Sequence, residues 1–138
     1  MRAFEKLKGM ENLLFSMTLE PIPVCMMDKS ISHGGNSMGL KPQDGPVVVM
    51  LFYTSWDSAS DDERVYDVNK EALASIEDES RKKNVSATYR YLNYAFTQQD
   101  PFASYGSEAK AELLRVSAKY NPDGFFQSAG AGPFKIRS

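Results

Sequence analysis

The stretch "PVVVMLFY", residues 46–53, constrains this chain most, because eight consecutive positions carry no charge and are rich in β-branched and aromatic side chains. A run of that length is far too short to span a bilayer. It reads instead as a buried strand, and the pattern predicts a central strand over 46–54. Residues 58–83, "SASDDERVYDVNKEALASIEDESRKK", change period at once: Val65, Val68, Ala72 and Ile76 recur on one helical face. Ser60 with Glu63 has capping-box spacing. Asp61 and Asp62 suit the positive first turn, and Arg81, Lys82 and Lys83 suit the negative end. A buried strand followed by a one-sided helix calls for a sheet with helices packed on it.

The remaining segments fill in that plan. Residues 3–9 predict a short helix with Phe4 and Leu7 inward, weakened by Gly9. From residue 12, Leu13, Phe15, Met17 and Leu19 alternate with Leu14, Ser16 and Thr18, a half-buried strand closed by Pro21 and Pro23. Cys25, Met26 and Met27 read most simply as a strand edge. "DKSISHGGNSMGLKPQDGP" is rich in Gly, Ser, Asn and Pro and reads as a long loop, of a length that usually serves function or a contact. "YRYLNYAF", residues 89–96, reads as a strand or extended loop. Tyr105 and Gly106 make a turn into a second helix from about Ser107, burying Ala109, Leu113, Val116 and Tyr120. "NPDG" ends it. Phe125 and Phe126 read as core, and the tail to residue 136 docks. The order β, loop, β, α, β, α predicts an α+β fold, an antiparallel sheet with helices on one face, as a single domain over 1–138 or a piece of one.

Several function classes are excluded at this level. Net charge is -2 with both signs interspersed, so there is no basic face for nucleic acid or an anionic membrane. Cys25 is the one cysteine and His33 the one histidine, which leaves no disulfide within the chain, no thiol metal cluster and almost no zinc chemistry. A serine triad would need His33, which sits in the turn-like "SHGGNS". The first 17 residues are charged and lack the apolar core of a secretion signal, so a cytoplasmic location is expected if Met1 is the natural start.

The tyrosine segment admits two readings. Tyr91 and Tyr94 can fill an amphipathic sheet edge, or serve a reaction that needs a weak acid able to donate a hydrogen bond. Asn36, beside Gly34 and Gly35, can rim a ligand cavity together with His33, or simply close a solvent turn on its own backbone. Trp56 can cap a pocket or pack beside the helix start.

"TLEPIP", "GGNSMGL", "YLNYAF", "QDPFASYG", "LLRVSAKYNPDGFFQ" and "GPFKI", in that order over residues 13–136, resemble the carboxyl end of fungal berberine-bridge-enzyme-like FAD-linked oxidoreductases of the vanillyl-alcohol-oxidase superfamily. The resemblance implies the substrate domain of an FAD-linked oxidase, whose antiparallel sheet roofs the isoalloxazine ring. Residues from about 89 to 138 would return to the flavin side. It implies FAD as cofactor, with Asn93 and Tyr91 at the flavin, Tyr94 as base and Tyr91 in support. His33, Asn36 and Trp56 would face a small-molecule substrate. The segment that holds and attaches the flavin is not in this chain, and "HGG" at 33–35 is not the reversed Gly-Gly-His attachment motif. The function so implied is a truncated or split FAD-linked oxidoreductase of secondary-metabolite or alcohol/amine-oxidising lineage, partnered by a separate FAD-domain chain. The alternative is a repurposed flavin-free small-molecule-binding domain, an isomerase or cyclase, acting as a homodimer.

Overall fold

The structure is a computed structural model that describes residues 2–130 and 132–136. The fold is α+β: two strands, β1 (Leu14–Ile22) and β2 (Val47–Ser55), form a two-stranded antiparallel sheet. Helices α1 (Val24–Ser32), α2 (Asp62–Lys82), α3 (Pro101–Ser104), α4 (Ser107–Tyr120) and α5 (Phe125–Ser128) make up most of the rest. The chain gathers into two compact units, Met1–Glu20 with Met50–Ala87, and Pro21–Val49 with Thr88–Ser138.

The first unit is built on the long helix the sequence foretold. Val65 and Val68 are buried together with Leu7, which arrives on a 3-10 turn at Arg2–Leu7, and Ala3, Phe4, Met10, Leu13 and Trp56 pack around them. The turn is tied down at its end. Lys6 pairs with Glu71, and Arg64 donates to the Lys6 carbonyl, satisfying an orphan acceptor. The rings of Phe4, Phe15 and Phe52 close a small aromatic cluster, with centroids 4.0 to 5.8 Å apart. Ile76, expected on the inner face, lies beyond this core and is exposed.

Both ends of α2 differ from a simple capping box. The chain first makes a 3-10 turn at Ala59–Asp61, and it is the Ser58 hydroxyl that accepts from the Ser60 amide, at 3.4 Å. The expected Ser60–Glu63 box does not form, because the helix proper starts only at Asp62. At the other end the Asn84 amide donates to Arg81 and the Val85 amide to Ser80, with Asn84 at φ 57. That is a Schellman stop, with asparagine in the left-handed position glycine usually takes.

Several sequence expectations are corrected by burial. β1 forms where predicted but is not half-buried: Met17 and Leu19 are each 53% exposed and Leu14 57%. A sheet of two strands offers no second layer to cover them, and only Phe15 finds ring partners. β2 is for the same reason not a central strand among the described residues. Cys25–Met27 are helical, and the long loop is shortened, because Pro23 ends the strand and α1 runs on to Ser32, turning Met27 inward. Gly34 and Gly35 then stop α1 by donating to Ile31 and Ser30. No strand forms at 89–96. Tyr120, Phe125 and Phe126, expected in the core, are all exposed, as is Val116. The tail is held by Lys135, which donates to the carbonyl of Gly130 at 2.5 Å.

Burial therefore separates residues of equal hydrophobicity. Leu7→Ala is expected to lower stability by about 2–4 kcal/mol in urea unfolding, whereas Leu14→Ala should change it by under about 0.5 kcal/mol. Equal effects of the two substitutions would overturn the placement of this core.

Candidate functional site

The second unit gathers the tyrosines. Residues 88–91 have no regular structure, with Tyr91 extended, and a single 3-10 turn at Leu92–Tyr94 follows, closed by the Tyr94 amide on the Tyr91 carbonyl at 3.0 Å. In a 3-10 turn side chains three apart eclipse, so the Tyr91 and Tyr94 rings meet edge to face, centroids 4.9 Å apart at 79°. Asn93, between them and exposed, donates its side-chain N–H to the Tyr91 hydroxyl oxygen at 2.9 Å. Tyr91 keeps its own O–H as a donor for something else. The sequence brought these three residues together, and the structure makes them one cluster.

Beneath the turn lies a buried phenol. Tyr105 is 8% exposed, stacks on Tyr89 (5.8 Å, 21°), meets the edge of Phe102 and is hydrogen-bonded to the backbone of Leu92. The Arg90 amide donates to Ser104 Oγ at 2.9 Å, and Asp100 caps α3 through the Ala103 amide at 3.0 Å. Tyr89 in turn donates to the sulfur of Met38 at 3.2 Å. Burial pushes the Tyr89 phenol up to about 12, reinforced by its neighbours Tyr105 and Tyr91. Burial raises Tyr105 as well, opposed by its bond to the Leu92 backbone. These two phenols stay protonated and structural.

The loop after α1 packs on the same residue. Gly39 sits at φ +72, and a Cβ there would fall 2.0 Å from the Tyr105 carbonyl oxygen. Asn36 shapes this loop: its side-chain oxygen accepts from the amides of Met38 (3.0 Å) and Leu40 (3.2 Å), while its N–H donates to the Leu40 carbonyl (2.8 Å). Between the loop and α4 runs a cleft of about 960 Å³, lined by Leu40, Tyr105 and Leu113 and spanned by the exposed Lys41–Glu108 pair at 2.8 Å.

The candidate residues thus separate. Asn36 lines the cleft, with its amide committed to its own backbone. His33 is the C-cap of α1, its Nδ1 2.8 Å from the Lys29 carbonyl. Trp56 belongs to the first unit, where its N–H donates to Asp62 at 2.7 Å and its ring meets Tyr66 edge-on. Sequence reading missed Tyr89 and Gly39 and took Tyr105 only for a turn. A buried aromatic next to a loop glycine leaves no periodic signal. Among the described residues no group of three or more His, Cys, Asp or Glu could hold a metal ion, and no helix is long and apolar enough to cross a membrane.

Comparison with known proteins now adds what geometry does not carry. No family model and no solved structure matches. The chain is 34% identical to an FAD-dependent monooxygenase of Emericella nidulans over 129 residues, covering 94% of this chain and 27% of that protein. It is 36% identical to an FAD-dependent monooxygenase of Cochliobolus heterostrophus over 118 residues, 86% of this chain and 23% of that one. It is 30% identical to the bifunctional solanapyrone synthase of Alternaria solani over 131 residues, 95% and 24% respectively. The chain matches part of an FAD-linked enzyme. It spans about a quarter of the length of these relatives, and a span of 94% of this chain necessarily includes the tyrosine turn.

Two outcomes follow from the Tyr105 packing. Gly39→Ala is expected to cost at least about 2 kcal/mol in urea unfolding, since both the left-handed backbone and the carbonyl contact oppose a methyl group. The raised Tyr89 phenol favours the fold fully below pH 10, and this contribution is lost as pH rises toward 12, because the unfolded chain ionises first. Tyr89→Phe should therefore flatten the fall in stability over that window. It should also remove the last phase of the tyrosinate absorbance titration.

Proposed function

We propose that this chain supplies the substrate-side portion of an FAD-linked oxidoreductase of the berberine-bridge-like kind, with the Tyr91–Asn93–Tyr94 turn facing the flavin ring. The observation that carries the reading is the turn itself. It holds two phenols in ring contact, one bonded to an amide, and lies inside the span similar to FAD-dependent monooxygenases. The donor set fits one edge of the cofactor: an amide and two phenols can meet the polar rim of an isoalloxazine ring. The set brings no cation suited to a pyrophosphate. FAD, when bound, supplies the acceptor for a hydride. Tyr94 takes the proton that leaves the substrate hydroxyl or amine, and Tyr91, its oxygen fixed by Asn93, orients the substrate with its free O–H. The exposed Tyr120, Phe125 and Phe126 support the reading, since apolar surface of that kind is what a flavin domain, joined or separate, would cover.

The cleft of about 960 Å³ favours a second reading, a flavin-free domain that binds a small molecule between the 35–44 loop and α4. A chimera separates the two. This chain replaces the matching quarter of the Emericella nidulans relative, and anaerobic flavin bleaching by that enzyme's own substrate is followed. Tyr94→Phe is expected to slow bleaching by about 10²–10⁴-fold with the visible flavin spectrum intact. Undiminished bleaching in Tyr94→Phe would sink the flavin reading.

A further inference from the structure

Six asparagines occur in the chain, at 12, 36, 69, 84, 93 and 121, and only Asn84 has Ser or Thr two positions on, in "NVS". The structure singles out the same residue on different grounds. Asn12 donates to Asp57, Asn36 to the Leu40 carbonyl, Asn69 to the Val65 carbonyl, Asn93 to Tyr91 and Asn121 to Gln127. Among the described residues, the Asn84 side chain alone of the six makes no hydrogen bond, and the Ser86 hydroxyl makes none either.

The surroundings suit an acceptor. Residues 81–88 are all exposed, and from Val85 to Arg90 the chain has no regular structure. Asn84 itself projects from the left-handed stop of α2, where its backbone, not its amide, ends the helix. Val85, in the middle of the triplet, is 70% exposed, which leaves the triplet open to a bulky adduct. The Asn-X-Ser pattern with X other than proline is the acceptor signal for N-glycosylation, and it works on accessible chain.

We infer that Asn84 is a competent N-glycan acceptor, modified whenever the protein carrying this chain enters the secretory pathway rather than staying in the cytoplasm. The step is a transfer: the amide nitrogen of Asn84 bonds to the anomeric carbon of a lipid-linked oligosaccharide, the sugar–phosphate bond breaks, and the amide proton leaves with the lipid pyrophosphate. Ser86 serves only to present the amide. This proposal is independent of the flavin reading.

The full chain, placed behind a cleavable secretion signal, is translated with microsomes and treated with endoglycosidase H. A single glycan-sized shift, reversed by the enzyme, is expected. It should vanish in Asn84→Gln and in Ser86→Ala but persist in Ser86→Thr. After peptide glycosidase treatment, mass spectrometry should find aspartate at position 84. A chain protected from added protease yet unshifted would overturn the proposal, as would a shift that survives Asn84→Gln.

Discussion

The contact between the backbone of Gly39 and the carbonyl of Tyr105 governs the second unit. A hydrogen atom is all that fits at that approach, and the φ of +72 is one that side chains resist. With the loop pressed there, Met38 reaches the Tyr89 hydroxyl, and Asn36 folds the loop on itself. Tyr105 is then enclosed, and its bond to the Leu92 backbone fixes the turn that displays Tyr91, Asn93 and Tyr94. The candidate chemistry is on the surface, but its geometry is set by a buried phenol and a missing methyl group.

Two kinds of tyrosine result. Tyr105 is buried and Tyr89 half-buried against it, and burial raises the ionisation of both phenols. Tyr91 and Tyr94 are partly exposed and in ring contact, and the Tyr91 oxygen accepts from the Asn93 amide. A proton-transfer role suits the second pair because a reacting molecule could reach it. That pair lies inside the span similar to FAD-dependent monooxygenases, a span of about a quarter of their length.

The exposed apolar residues tell a consistent story about layers. Met17 and Leu19 on β1, and Tyr120, Phe125 and Phe126 after it in the chain, are the positions sequence periodicity assigns to a core. Alternation along a strand reports which residues favour burial; it does not supply the layer that buries them. A two-stranded sheet supplies none. Helix α4 shows the same limit, since Ala109 and Leu113 are half-buried while Val116 and Tyr120, on the same face, are exposed.

What the sequence by itself determined is local. The strand at 47–55, the helix at 62–82 with Val65, Val68 and Ala72 inward and the stop at "NPDG" all follow from period, charge placement and turn chemistry acting within a few residues. The turn at Leu92–Tyr94 that groups Tyr91 with Tyr94, by contrast, stands where the sequence reads as a strand or extended loop. Sequence reading missed α1, taking Cys25–Met27 for a strand edge and the rest for loop, because the glycines that end it at 34 and 35 dominate a composition-based reading. Only the tertiary structure decided that Tyr105 is the buried support, that Asn36 bonds its own loop, that His33 caps a helix and that Trp56 is anchored by Asp62. The burial of Tyr105 depends on close approach between segments far apart in the chain, Gly39 and Met38 against Tyr105 and Tyr89, and neither propensity nor periodicity carries information about that distance. The other three are bonds within six residues, where the sequence offers several polar partners and only the folded backbone selects one.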